Sequence, residues 1–160
     1  MNDDFNMLEA IEIAMEAELK ASNFYKDAVS KVTSERGKDL LQQLSDFEQN
    51  HFNRLNKLKK SLTENGKFIE YEGTKFKTIP SEVKGKIENN KDEVVNILIK
   101  AIDAETKAYE HYSKMANQTN DPKGKDMFFK LADEETLHRR ILSDEFYHIS
   151  NQGGVWVWGD

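Results

Sequence analysis

The sequence predicts an all-α protein, an antiparallel four-helix bundle with a long crossover between its second and third helices. Three observations carry that expectation. Four stretches, each of about 25–30 residues, place apolar side chains at the helical period of about 3.6. Two short breaks and one long connector separate them, the spacing of two hairpins joined in series. Only two prolines, Pro80 and Pro122, interrupt a chain of 160 residues rich in Glu, Lys, Leu and Ala.

The first helix is expected over about residues 4–32, from Asp4 onward, with Ile11, Ala14, Met15, Ala21, Tyr25, Ala28, Val29 and Val32 on one stripe. The second, about 36–62, turns Leu40, Leu41, Leu44, Phe52, Leu55, Leu58 and Leu62 inward. Its basic cluster of Lys57, Lys59 and Lys60 reads as the helix end, where cations suit the dipole. The third, about 92–116, carries Val94, Val95, Leu98, Ala101, Ile102, Ala108, Tyr109, Tyr112 and Met115. The fourth, about 123–149, carries Met127, Phe128, Leu131, Leu142, Phe146 and Ile149. Asn120-Asp121-Pro122 suits its start: a capping side chain, then a proline where no N–H is needed.

Breaks at 33–37 and 119–122 make two antiparallel hairpins. Between them, residues 63–90 hold Gly66, Gly73, Pro80 and Gly85, and Phe68-Ile69-Glu70-Tyr71 shows little helical pattern. A connection of that length runs from one end of a bundle to the other and makes helices two and three parallel. The domain is therefore set at residues 1–150, followed by a tail at 151–160. For the tail, with its alternating Val155-Trp156-Val157-Trp158, fraying is the default expectation. Docking on the bundle or pairing with a second subunit are the alternatives.

Composition excludes several classes of function. The formal charge of −6 argues against a nucleic-acid surface, which needs clustered Lys and Arg. There is no cysteine, which removes disulfides, thiolate nucleophiles, iron–sulfur ligation and Cys-based zinc sites. No stretch approaches the roughly 18–20 apolar residues of a membrane span, and Met1-Asn2-Asp3-Asp4 lacks the features of a secretory leader. A cytoplasmic location, with no nucleic-acid or membrane partner, is expected.

The functional signal is a repeat. Glu105, Glu135 and His138 stand 87 residues after Glu18, Glu48 and His51 (105 − 18 = 135 − 48 = 138 − 51). Each half is an inward Glu followed, one hairpin later, by Glu-x-x-His. Positions i and i+3 share a helix face, so each Glu-x-x-His pair can reach one ion. Each acid lies about 15 residues from its turn, roughly 22 Å along a helix, so all six groups can meet at one level. Alignment of the halves extends to Lys20 and Lys107, Ala21 and Ala108, Tyr25 and Tyr112, Leu44 and Leu131, and Leu55 and Leu142. A duplicated hairpin and a pseudo-twofold site follow.

Buried ionised carboxylates are costly unless paired, and no Lys or Arg stands on these inward positions. Two divalent cations would balance four carboxylates. Oxygen and imidazole donors suit iron or manganese, and zinc without redox chemistry. Tyr25 and Tyr112, seven residues past Glu18 and Glu105, either hydrogen-bond those carboxylates or line an oxidant pocket; a core tyrosine is the equal alternative. His111 falls off the face of Glu105 and reads as a surface or partly buried residue, His148 as exposed.

At Glu18-x5-Phe24-Tyr25 and Leu131-Ala132-Asp133-Glu134-Glu135-x-x-His138 the chain resembles the ferritin-like superfamily and, within it, the rubrerythrin family, over about residues 5–150. The resemblance implies a ferritin-like bundle, two iron ions, and Glu18, Glu48, His51, Glu105, Glu135 and His138 as ligands. Glu48 and Glu135 would bridge and Glu18 and Glu105 would be terminal. It also favours a homodimer. Two departures stand out. Rubrerythrins usually carry a cysteine-ligated rubredoxin domain, so electrons here would come from a separate, rubredoxin-type donor. They also tend to have a further Glu one turn after the third-helix ligand, where this chain has Ala108; the remaining six are closer to the symmetric sites of bacterioferritin-like proteins. The expectation is a non-haem diiron oxidoreductase reducing hydrogen peroxide or dioxygen in oxidative-stress defence, a diiron peroxidase or oxidase. The alternatives are a ferroxidase with Fe(II) as substrate and a non-redox bundle stabilised by metal.

Overall fold

The computed structural model describes residues 5–75, 88, 90–152 and 154–157. Four helices follow in order: α1 (Met7–Val29), α2 (Glu35–Asn65), α3 (Lys91–Gln118) and α4 (Pro122–Gln152). Asp4, the expected start of α1, lies outside the described residues, as do Pro80, Gly85 and Trp158. Asn6 caps α1 by accepting from the Glu9 N–H at 3.0 Å, and Ser34 caps α2 through the Gly37 N–H. Asp121 caps α4 through the N–H groups of Lys123 and Gly124, and Pro122 is its first residue, as the sequence suggests.

The end of α2 corrects the sequence reading. The helix runs on to Asn65 and stops at Gly66, whose φ of 66° is the left-handed conformation that glycine adopts without strain. Thr63, Glu64 and Asn65 are thus helical rather than part of the crossover. Lys57, Lys59 and Lys60 do not end the helix: its last turn holds no basic residue.

Every helix passes through the same three levels. One apolar cluster gathers Val32, Leu40, Leu41, Leu44, Val94, Leu98, Leu142 and Ile149; another gathers Ile11, Leu55, Leu58, Met115, Met127, Phe128 and Leu131. Glu18, Glu48, Glu105 and Glu135 fall between them along their helices, all buried. Chain direction follows from the order of levels: α1 and α4 run one way, α2 and α3 the other. The second and third helices are therefore parallel, and the bundle has the expected crossover. Each large side chain buried in these clusters contributes on the order of 1.5–3 kcal/mol.

The duplication reaches the hairpin turns. Lys38 Nζ donates to the Val29 carbonyl at 3.1 Å, and Lys125 Nζ donates to the Ala116 carbonyl at 2.9 Å, positions again 87 apart. Gly37 and Gly124 also correspond, and each receives an aromatic ring. A Cβ on Gly37 would lie 2.5 Å from the Trp156 indole; one on Gly124 would lie 2.8 Å from the Phe68 ring. So the segment leaving α2 closes the turn of the second hairpin, and the segment leaving α4 closes the turn of the first.

That packing overturns the frayed tail. Val155 and Trp156 are fully buried in the first cluster. The Trp156 indole N–H donates to Glu88 at 2.8 Å, and the backbone N–H groups of Trp156 and Val157 donate to the buried Glu145. Of the alternatives, residues 154–157 of the tail dock on their own bundle. His148 is half-buried beside Tyr147 rather than exposed.

Candidate metal centre

All six sequence-predicted groups meet at the middle level. Glu18, Glu48, His51 and Glu135 form one set of donors, and Glu48, Glu105, Glu135 and His138 a second; within each set the donor atoms lie within 4.8 Å of one another. Glu48 and Glu135 belong to both. Nδ1 of His51 is 2.9 Å from Glu135 Oε1, 3.4 Å from Glu18 Oε1 and 3.5 Å from Glu48 Oε2. Nδ1 of His138 is 3.1 Å from Glu48 Oε1 and 3.7 Å from Glu105 Oε2. The imidazoles lie nearly parallel, centroids 6.3 Å apart.

Tyr25 and Tyr112 connect the halves crosswise. The Tyr25 hydroxyl donates to Glu105 Oε1 at 2.6 Å, and the Tyr112 hydroxyl donates to Glu18 Oε1 at 2.5 Å. Both phenols are buried, so they are core tyrosines and carboxylate donors at once. His111 is partly buried and packs its Nε2 against the Ala10 carbonyl at 2.9 Å, away from the acids.

Burial and neighbouring charge shift the titration of these groups in opposite directions. Burial pushes the Glu18 carboxyl well above the ordinary carboxylate range, and Glu48 adds to the rise. Burial, with Glu105, Glu48 and Glu18, does the same to Glu135. Burial would raise Glu48 too, but hydrogen bonds from Glu18, His138 and His51 outweigh it and hold Glu48 low. Burial would discharge the histidines; instead Glu18, with Glu134 and Glu135, pushes His51 well up, and Glu105 and Glu48 raise His138 to about 9. Glu18 Oε2 and Glu105 Oε2 are buried without a hydrogen-bond partner. Buried oxygens of this kind facing imidazole nitrogens fit a pair of metal ions.

Two groups at the site escape sequence reading. Glu134 Oε2 lies 2.7 Å from His51 Nε2, the nitrogen facing away from the acids. The same carboxylate accepts from the Tyr71 hydroxyl at 2.6 Å and from the Thr74 N–H at 2.7 Å. Tyr71 belongs to the crossover, where no periodicity marks inward positions. Glu134 has no repeat partner: 87 residues earlier stands Phe47, whose ring meets His138 edge-on at 4.7 Å. The only available signal was its place beside Glu135.

A crossover four-helix bundle with a Glu on each of two helices and Glu-x-x-His on each of the other two defines a ferritin-like carboxylate bundle. Residues 9–146 match the Rubrerythrin family, and the chain belongs to that family. Its fold is also similar to that of a hypothetical protein from Pyrococcus furiosus, at 24% identity over 94% of each chain with a TM-score of 0.74. No curated protein matches the sequence. No helix among the described residues is long and apolar enough to cross a membrane.

Proposed function

We propose that the chain is a non-haem diiron oxidoreductase that reduces hydrogen peroxide or dioxygen with electrons from a separate carrier. The observation behind this reading is the pair of overlapping donor sets that share Glu48 and Glu135. Glu48 and Glu135 would bridge two ions, Glu18 with His51 would complete one, and Glu105 with His138 the other. Two iron ions so held would supply two one-electron centres side by side.

The chain's own residues prepare that site. Glu134 receives the outward nitrogen of His51 and so turns the Nδ1 lone pair toward the acids. Tyr25 and Tyr112 each fix one oxygen of a terminal carboxylate and leave its other oxygen facing inward. Reducing one hydrogen peroxide to two waters consumes two electrons and two protons. Glu134 is partly exposed, and with Tyr71 it links His51 to the surface, a path for protons. The 160 residues hold no cysteine, and on this reading the electrons come from a separate carrier, with a rubredoxin-type protein as the natural class of donor.

Anaerobic loading with two Fe(II) per chain, followed by rapid mixing with peroxide or dioxygen, tests this. Faster formation of the ferric absorption with peroxide supports a peroxidase. Sustained turnover of excess Fe(II) would instead make iron the substrate, and a protein that takes up zinc but no iron would leave a structural metal. Glu48→Ala combined with Glu135→Ala removes both shared carboxylates, and both ions should be lost on metal analysis; a variant retaining two ions overturns the assignment.

A further inference from the structure

A cavity of about 520 Å³ opens between α1 and α3 and runs inward to Glu18, Glu48, Glu105 and Glu135. Four small residues make the opening: Ala17 and Ala21 on α1, and their counterparts Ala104 and Ala108 on α3. Phe24 and Ile13 add apolar wall at opposite ends. At the floor, Glu18 Oε2 and Glu105 Oε2 are buried and lack a hydrogen-bond partner, so the cavity ends on unsatisfied polar atoms.

Dioxygen or hydrogen peroxide needs little more room than a water molecule, about 30 Å³. The cavity is more than ten times larger and falls within the roughly 300–1,000 Å³ of small-molecule sites, which are likewise apolar with a few convergent polar groups. Charge narrows the occupant. The floor is acidic and disfavours anions. At the mouth, Lys20 is paired with Glu16 at 3.2 Å and Lys107 with Asp103 at 3.0 Å, while Lys100 also lines the cavity, so the apolar wall above the acidic floor, more than the charge at the mouth, favours an uncharged body. A second bundle packed on this face would cover the mouth without reaching the acids.

We propose that this cavity seats an uncharged, predominantly apolar organic molecule, which enters between the paired alanines and abuts the acid–histidine cluster as a ligand beside the centre. Its effect on bound metal presupposes the dimetal reading; its binding does not, and the two are measured separately. Purified full-length protein, metal-free and loaded with two Co(II) per chain, is titrated with the neutral fluorophore 1-aminoanthracene and then with 1-octanol as displacer. Saturable binding is expected in both forms, and octanol should also shift the visible d–d bands of bound cobalt. Ala21→Trp and Ala108→Trp, each filling the opening from one side, should keep the helical circular dichroism and the two-ion stoichiometry while weakening the fluorophore by about tenfold or more.

Unchanged affinity in both tryptophan variants overturns the proposal, as does binding that leaves the cobalt bands untouched. Absent binding, with sedimentation showing a dimer that Ala108→Trp breaks, overturns it in favour of a second copy on this face. Failure to take up cobalt would count against the metal centre alone, since the metal-free titration still reports the cavity.

Discussion

The two hairpins deliver the same acids, histidines and tyrosines to the centre, yet they are held together differently. In the first, Ser22 and Ser45 exchange hydrogen bonds with each other's carbonyls at 2.9 and 2.8 Å, a polar clasp between α1 and α2. The second has Tyr109 and Ala132 at those positions. Phe47 in the first answers to Glu134 in the second, and Leu58 to Glu145. Duplication has kept what touches the site and changed what surrounds it. The inner groups must converge on one point, so each is constrained by the others. The outer groups need only fill space or satisfy one neighbour, and several solutions serve.

The largest expected break in the comparison lies at the two rings that close the hairpin turns. Trp156 is fully buried against Gly37 and hydrogen-bonded to Glu88, while Phe68, over Gly124, is only partly buried. Trp156→Ala should cost about 3–5 kcal/mol in chemical denaturation, the range for removing a large buried ring. Phe68→Ala should cost clearly less, about 1–3 kcal/mol given its partial exposure. Equal losses would mean the two closures are energetically equivalent despite their different burial.

Next comes pH, because the ion-free centre stores protons in both halves. His138 is raised to about 9 from an unfolded value of about 6.5. A raised group gives its full stabilisation below the unfolded value and loses it as pH climbs through the folded one. Ionising Glu18 and Glu135, both held well up by burial, is a cost that begins once pH passes their unfolded value of about 4.3 and continues over the same climb. Metal-free protein should therefore melt at progressively lower temperature between about pH 6.5 and 9, where its zinc-loaded form, with cations in place of protons, holds its melting temperature. Calorimetry on both forms checks this; parallel curves would mean the protons and the metal do not compete.

Glu134 is where the halves differ nearest the centre. Glu134→Gln keeps the shape but weakens the acceptor for His51 Nε2, and a loss of about 10–100-fold in affinity for one of the two ions is expected. Two-step metal titration checks it: the first half's ion should weaken and the other should not. Equal weakening of both would show that Glu134 serves the cluster as a whole.

These differences mark what was legible in the sequence. Six donors at equal offsets were readable because the repeat carries them twice, and inward spacing among Ile11, Ala14 and Ala21 placed Glu18 on the core face. The crossover topology followed from the length of one connector. Glu145 was half legible: three residues after Leu142 and four before Ile149 it points inward, but Leu58 in the other half gives no hint of a polar role, and its partners are backbone N–H groups of Trp156 and Val157. Tyr71 and Trp156 sit on irregular chain, where the backbone path rather than a period decides what is buried. The Gly37 and Gly124 pair was the missed clue to the docked tail, since matched glycines one turn into two helices leave room for matched rings.

The smallest effect tests the symmetry itself. Tyr25→Phe and Tyr112→Phe each remove one hydroxyl from one carboxylate, at 2.6 and 2.5 Å, at the same buried level. A hydrogen bond to a charged group contributes about 1.5–3 kcal/mol, so each variant alone should be measurably destabilised with metal bound. The difference between them should be only about 0.5 kcal/mol or less, because the crosswise pairs occupy equivalent positions and share no atom. A larger gap would show that the asymmetry of Glu134 and Phe47 reaches through the histidines to the terminal carboxylates, and that the pseudo-twofold holds for the positions of the six donors but not for their strength.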